Sequence, residues 1–177
     1  KESNIFYKNQ FFPDTKLNYA ENLLRKNNTD PAIIFKSENG YKEILSWKNL
    51  ISNVQKVSTW MRSNGIKKGD RVAAYLPNIP ETVIAYLGTS VVGAIWSSCS
   101  PDFGTGGVID RFSQISPKIL FIGNKYFYNG KTISILERLP EILNKVPSIK
   151  KVVIVPYPGT KIKKKCNIKI DTYDWNE

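Results

Sequence analysis

Between positions 71 and 155, four short apolar runs alternate with stretches whose apolar residues recur at helical spacing, and few folds accommodate that order. The runs are residues 71–76, 94–97, 118–122 and 151–155, rich in Val, Ile, Leu and Ala. Between them, helices are predicted over 81–92, about 107–115 and about 132–145. Pro77-Asn78 stops the first strand, Pro80 opens the helix after it, and Ser116-Pro117 closes the next helix. Strands that alternate with helices build βαβ units, and those units pair their strands in parallel. The predicted class is therefore α/β: a doubly wound, mostly parallel sheet with helices on both faces. Such sheets bind ligands outside the carboxyl ends of their strands, so the loops at those ends are the first place to look for a site.

The region before position 71 reads differently. Leu17, Ala20, Leu23 and Leu24 fall on one face of a short helix. Residues 32–36 and 41–46 are β-type runs joined by Glu38-Asn39-Gly40, and Asn-Gly favours a hairpin because both residues tolerate positive φ. Ser46 is placed to cap a helix in which Trp47, Leu50, Ile51, Val54, Val57 and Met61 recur until Gly65. Residues 168–173 have the composition of one more strand. Trp47, Trp60 and Trp96 are expected in the core, where large rings contribute most by burial.

Composition removes several classes of chemistry. The 177 residues contain no histidine, which excludes Ser/His and Cys/His nucleophilic pairs and most zinc sites. The two cysteines, Cys99 and Cys166, are too few for a disulfide framework, so a reducing cytoplasm is the expected compartment. The chain begins at Lys1 with a charged, polar stretch rather than a secretory signal, and its N-terminus has the look of a cut end. A net charge of +11 raises nucleic-acid binding, but the positive charges are mostly scattered lysines, and the dense cluster Lys161-Ile162-Lys163-Lys164-Lys165 reads as a solvated loop. No nucleic-acid partner is expected. Residues 82–101 carry no charge and are long enough to raise a membrane span, yet Gly88, Thr89, Ser90, Gly93, Ser97 and Ser98 interrupt them. A buried helix followed by a buried strand explains the run, and no membrane partner is expected.

The segment Trp96-Ser97-Ser98-Cys99-Ser100-Pro101-Asp102-Phe103-Gly104 runs from a strand end into the helix start at Gly106-Gly107. Ser100, Pro101 and Asp102 make a tight turn, and the glycines allow close approach to backbone N–H groups. A P-loop is excluded, because the closing lysine and Ser/Thr are absent. The competing reading is a loop that caps a helix and binds nothing. Tyr128-Asn129-Gly130-Lys131, taken alone, reads as an exposed loop with a surface lysine. Cys99, flanked by serines, reads as a small buried residue rather than a nucleophile. Asp102 and Asp110 do not make a catalytic pair, since one sits in a turn and the other on a helix beside Arg111, which is available to acids nearby.

These two segments, with Leu17-Asn18-Tyr19-Ala20-Glu21-Asn22-Leu23-Leu24, resemble the acetoacetyl-CoA synthetases of the AMP-forming acid-CoA ligases, in the adenylate-forming superfamily, over residues 11–158. The resemblance implies activation of acetoacetate by ATP, with magnesium on the phosphates, and transfer of the acyl group to CoA; another short-chain acid such as acetate or propionate is the nearest alternative. It assigns Ser100, Pro101 and Asp102 to the wall beside the pantetheine arm, and Tyr128, Asn129, Gly130 and Lys131 to the neighbourhood of the CoA nucleotide phosphates. Related acetyl-CoA ligases carry arginine at both ends of the second segment, where this chain has Tyr128 and Lys131. The family's Ser/Thr/Gly-rich nucleotide loop and its late catalytic lysine are not found. The whole chain, 1–177, is therefore expected to form the N-terminal part of the large domain of a ligase, to hold no catalytic residue, to be inactive alone, and to have the remainder of the ligase as its partner. A free-standing CoA- or nucleotide-binding module is the alternative of a different class.

Overall fold

A computed structural model describes residues 4–162 and 170–176. Asn18 starts the first helix, α1 (Tyr19–Leu23), by accepting the amides of Ala20 and Glu21 on its side chain. Only Ala20 of the predicted apolar face is buried; Leu17 and Leu23 stay exposed. Strands β1 (Pro31–Lys36) and β2 (Lys42–Ser46) form the antiparallel hairpin. Its turn uses positive φ at Gly40 alone, while the Gly40 amide donates to Ser37 O and the Asn39 side chain accepts the Tyr41 amide. Ser46 Oγ accepts the Asn49 amide at 3.3 Å and opens α2 (Trp47–Ser63), so the expected cap is present.

The chain then enters the main sheet through β3 (Arg71–Tyr75), α3 (Pro80–Val92), β4 (Ile95–Cys99), α4 (Thr105–Ile115) and β5 (Ile119–Gly123). A second hairpin, β6 (Lys125–Tyr128) and β7 (Lys131–Ser134), follows before α5 (Leu139–Lys145), β8 (Lys151–Val155) and β9 (Asp171–Asp174). The five strands of the main sheet are ordered β4-β3-β5-β8-β9 and pair in parallel throughout. The chain steps outward from β3 to β4 and then returns past β3 to β5, so the winding reverses between β3 and β5. The doubly wound class is thus present.

Two expectations need correction, and a third lies partly outside the described residues. The strand read at 94–97 extends to Cys99, because its register with β3 runs from Ile95 to Cys99 opposite Tyr75. The helix read at 132–145 is instead a strand, a turn of 3-10 helix at Leu136–Arg138, and the short α5. Asn129 and Gly130 both take positive φ, which turns the chain back on itself before a helix can begin. The strand anticipated at 168–173 is represented by β9; residues 168 and 169, like Cys166 and Lys163 to Lys165, lie outside the described residues.

Alternation along the strands divides the core into two layers. Ala73, Tyr75, Leu120, Ile122, Val152 and Ile154 meet α4 and α5 through Val108, Phe112, Leu139 and Ile142. Val72, Ala74, Ile119, Phe121, Val153 and Val155 turn to the opposite face, against Met61 of α2 and Ala85 of α3. Each Val, Leu, Ile, Phe or Met among them contributes about 1.5–3 kcal/mol by leaving water, and each Ala less. The tryptophans expected in the core are half-buried instead: Trp60, Trp96 and Trp175 rim Phe121, with ring centroids 6.4, 6.3 and 6.1 Å from it, and Trp47 borders the α1–hairpin layer. Indoles placed so cover the margin of a layer whose centre is already filled by smaller strand residues.

Helices α2 and α3 approach closely at Gly88, where an added Cβ would stand 2.8 Å from Val57 Cγ1. At the start of α3, Thr82 Oγ1 donates to Pro77 O at 2.7 Å and Pro80 occupies the first turn, so the Pro77-Asn78-Ile79-Pro80 segment has the structural role its sequence indicates. Glu81, next in that turn, is half-buried with Oε2 unpartnered. Burial, reinforced by the nearby Glu43 carboxylate, pushes its carboxyl up to about 7.

Gly88→Ala is expected to destabilise the chain by about 1–3 kcal/mol, since the new methyl must displace Val57 from a packed interface; urea unfolding measures it. Glu81 binds its proton more tightly folded than unfolded, so its contribution is fully present below pH 4.5 and is lost as pH rises through about 7. Glu81→Gln is expected to raise the melting temperature above pH 7 and to flatten the pH dependence between those limits. A variant whose stability parallels the parent at every pH would contradict this.

Candidate functional site

Because the strands are parallel, the carboxyl ends of β3, β4, β5 and β8 share one rim of the sheet, at Tyr75, Cys99, Gly123 and Val155. The turn predicted from Ser100, Pro101 and Asp102 leaves this rim directly after β4. The Phe103 amide closes it onto Ser100 O at 3.0 Å, and Ser100 Oγ donates to the Asp102 carboxylate at 2.9 Å. Pro101 is buried, whereas Ser100 and Asp102 are exposed. Gly104 then starts α4 without a side-chain cap, and neither Gly104 nor Gly106 has a neighbour within 4 Å of where a Cβ would sit. The space beside both glycines is therefore open.

Sequence reasoning missed what holds this loop from beneath. Tyr75 is fully buried on the α4 side of the sheet, and its phenol donates to Phe103 O at 2.6 Å, with Pro101 O at 3.3 Å. Arg138 Nη1 donates to Pro101 O and Phe103 O, each at 3.0 Å, and also to Tyr75 Oη. The guanidinium carbon lies 5.8 Å from the centre of the Tyr75 ring. Burial pushes the Tyr75 phenol up, against the pull of the Arg138 charge. Tyr75 sits in an apolar strand and looks like ordinary core, and Arg138 lies in a stretch that reads as helix, so neither signalled its contact.

The second predicted segment forms the tip of the β6–β7 hairpin. Tyr128 pairs with Lys131 across the two-residue turn Asn129-Gly130, whose φ values are 49° and 70°. Those values suit a primed turn, which matches the twist of the flanking strands. Tyr128, 64% exposed, and Lys131 both reach solvent, and among the described residues Lys131 enters no ion pair. The root of the hairpin is fixed: Asn124 donates its amide to Val155 O, Ile135 donates to Asn124 O, and Phe127 packs edge-on to Tyr157 at 5.0 Å. The hairpin is thus attached to the same rim as the loop after β4. Among the described residues no hydrogen bond joins Ser100, Pro101 or Asp102 to the residues of the hairpin tip.

Cys99 is 3% exposed and burial pushes its thiol up, which suits the packing role expected of it rather than nucleophilic attack. Among the described residues Arg111 enters no ion pair with an acid; its guanidinium lies over the Phe103 ring, 4.6 Å from the centroid. Among the described residues no group of three or more His, Cys, Asp or Glu could hold a metal ion. The described residues therefore offer no cluster for magnesium, and no loop in the sequence has the glycine-and-lysine pattern that would cradle ATP. What the rim offers is a cation on a two-residue turn, open space beside two glycines at a helix start, and a loop held from beneath.

The same fold occurs in a solved acetoacetyl-CoA synthetase from Streptomyces lividans, which superposes with a TM-score of 0.82 at 36% identity over 90% of this chain and 24% of that one. The acetoacetyl-coenzyme A synthetase of Rhizobium meliloti (strain 1021) is 46% identical over 150 residues, and the acetoacetyl-CoA synthetase of Macaca fascicularis 44% identical over 156. This chain spans about a quarter of the length of these relatives, 23% in both cases, while 85% and 87% of its own length is matched. Within the described residues no helix is long and apolar enough to cross a membrane, consistent with reading the uncharged run at 82–101 as helix α3 followed by strand β4. The family model described as AMP-binding enzyme matches residues 20–175, and on that match, with the sheet and rim to which it corresponds, the chain belongs to the AMP-binding enzyme family.

Proposed function

We propose that this chain works as the N-terminal part of the large domain in an AMP-forming acetoacetate-CoA ligase of the cytoplasm. The observation that carries the reading is the pairing of high identity to acetoacetyl-CoA synthetases with two rigid elements, the loop after β4 and the β6–β7 hairpin, on one carboxyl rim. In the parent reaction the acetoacetate carboxylate attacks the α-phosphate of ATP, diphosphate leaves, and the CoA thiol then displaces AMP from the acyl-adenylate. On this reading ATP, its magnesium and the catalytic groups are handled by parts of the ligase other than this one. The partners are the small molecules acetoacetate, ATP and CoA, together with the remaining ligase chain.

Within that division of labour, Ser100, Pro101 and Asp102 line the passage of the pantetheine arm, and Tyr128, Asn129, Gly130 and Lys131 meet the CoA nucleotide. Lys131 supplies the charge. Tyr128 supplies an exposed ring and hydroxyl where relatives that act on acetate carry a second cation, so phosphate attraction in this protein rests on one lysine.

The ligase containing this chain is expected to convert acetoacetate, ATP and CoA to acetoacetyl-CoA, AMP and diphosphate, with acetate and propionate poorer substrates. The 177 residues alone are expected to show no acetoacetate-dependent exchange of diphosphate into ATP; exchange from the isolated chain, free of host ligase, would contradict the assignment. Lys131→Ala in the ligase is expected to raise KM for CoA about fivefold, because a solvent-exposed phosphate contact is worth about 1 kcal/mol. Adenylate formation should stay nearly unchanged, and the effect should shrink with added salt. Unaltered KM for CoA at low ionic strength would return Lys131 to the ordinary surface.

A further inference from the structure

We propose that Arg138 is a positioning residue for CoA: it locks the loop after β4 to the root of the β6–β7 hairpin, so that the two parts of the CoA wall are held at a fixed separation. This rests on the CoA-binding reading above. Arg138 touches neither the exposed face of the loop nor the hairpin tip, and acts through the backbone carbonyls of Pro101 and Phe103.

The geometry carries the assignment in three steps. Arg138 follows the end of β7 by one 3-10 turn, closed by its own amide donating to Ile135 O at 3.0 Å. Ile135 is fully buried, and its amide donates to Asn124 O at 3.1 Å, which ties this turn to the end of β5. The guanidinium therefore projects from a rigid base that also carries the hairpin. At its other end it donates to two carbonyls of the loop. A carbonyl pointing inward at this half-buried position loses water and needs a donor, and a charged donor gives the stronger bond. Tyr75 cannot meet that need alone, since its single hydroxyl hydrogen serves one acceptor at a time and Phe103 O lies nearest. Arg138 Nη1 carries two N–H groups, enough to serve both carbonyls beside the phenol of Tyr75.

A loop tied this way keeps its outer face, Ser100 and Asp102, in one conformation before CoA arrives, which lowers the ordering cost of binding. Arg138 is thus expected to affect CoA affinity and to leave the adenylation half-reaction alone. A guanidinium needed only for folding would move both together.

The test compares Arg138→Met, Arg138→Lys and Tyr75→Phe in the full-length ligase, by hydrogen exchange and by separate assays of adenylate formation and CoA-dependent product release. Arg138→Met is expected to speed exchange at the Phe103 amide about tenfold, with β5 amides unchanged. KM for CoA should rise about fivefold while acetoacetate-dependent diphosphate exchange stays within about twofold of the parent. Arg138→Lys should recover part of the CoA effect, because one ammonium retains the charge but not the fork. Tyr75→Phe should have a smaller effect, since Arg138 still reaches both carbonyls. Loop exchange unchanged in Arg138→Met would overturn the proposal. So would a faster loop with unaltered KM for CoA, or a parallel fall in both half-reactions with loss of protection in β5. Failure of the underlying function looks different: the unmodified ligase would form no acetoacetyl-CoA, while hydrogen exchange would still report whether Arg138 holds the loop.

Discussion

Burial of β3 and β5 on both faces is the constraint from which the rest of the molecule follows. Ala73 and Tyr75 turn to one layer and Val72 and Ala74 to the other, and Leu120 and Ile122 oppose Ile119 and Phe121 in the same way. A strand that is apolar on both sides must be covered on both sides, so the chain has to supply helices above and below the sheet. Parallel pairing then obliges every loop that leaves the carboxyl end of a strand to emerge at one rim. The loop after β4 and the hairpin after β5 meet there because of hydrophobic bookkeeping in the sheet, before any ligand is considered.

Most of this frame was legible in the sequence, since strands β3, β5 and β8 are unbroken apolar runs and Pro80 and Ser46 mark their helices. The main misreading has a physical origin. Ile133, Leu136, Leu139 and Leu143 recur at three- and four-residue steps, a helical phase, although the first lies on β7, the second on a 3-10 turn and only the last two on α5. The spacing persists because all of these elements pack one apolar edge inward. The signal that settles it is Asn129-Gly130, which makes a true two-residue turn. The same dipeptide at Asn39-Gly40 sits in a longer turn where only the glycine needs positive φ. Local composition alone does not distinguish those two turns; the pairing of Tyr128 with Lys131 does.

The candidate site was legible in its exposed residues and hidden in its supports. Ser100, Asp102, Gly130 and Lys131 announce themselves by turn chemistry and charge, and the resemblance gave them a ligand. Tyr75 and Arg138 carry no such mark, because their work is done through the backbone carbonyls of residues distant in sequence. On the proposed function the rim separates two tasks: surface groups meet CoA, while buried Tyr75 and half-buried Arg138 fix where those groups stand. Such a division would suit the proposed role toward CoA, a long, flexible thiol carrier for which pre-set walls reduce the entropy lost on binding.

A structure of the full-length ligase with CoA bound tests the central claim most directly. The account predicts the pantetheine arm against Pro101 and a nucleotide phosphate within about 4 Å of Lys131 Nζ, with Arg138 still on the carbonyls of Pro101 and Phe103. CoA bound away from the carboxyl rim, touching neither the loop after β4 nor the tip of the β6–β7 hairpin, would contradict it.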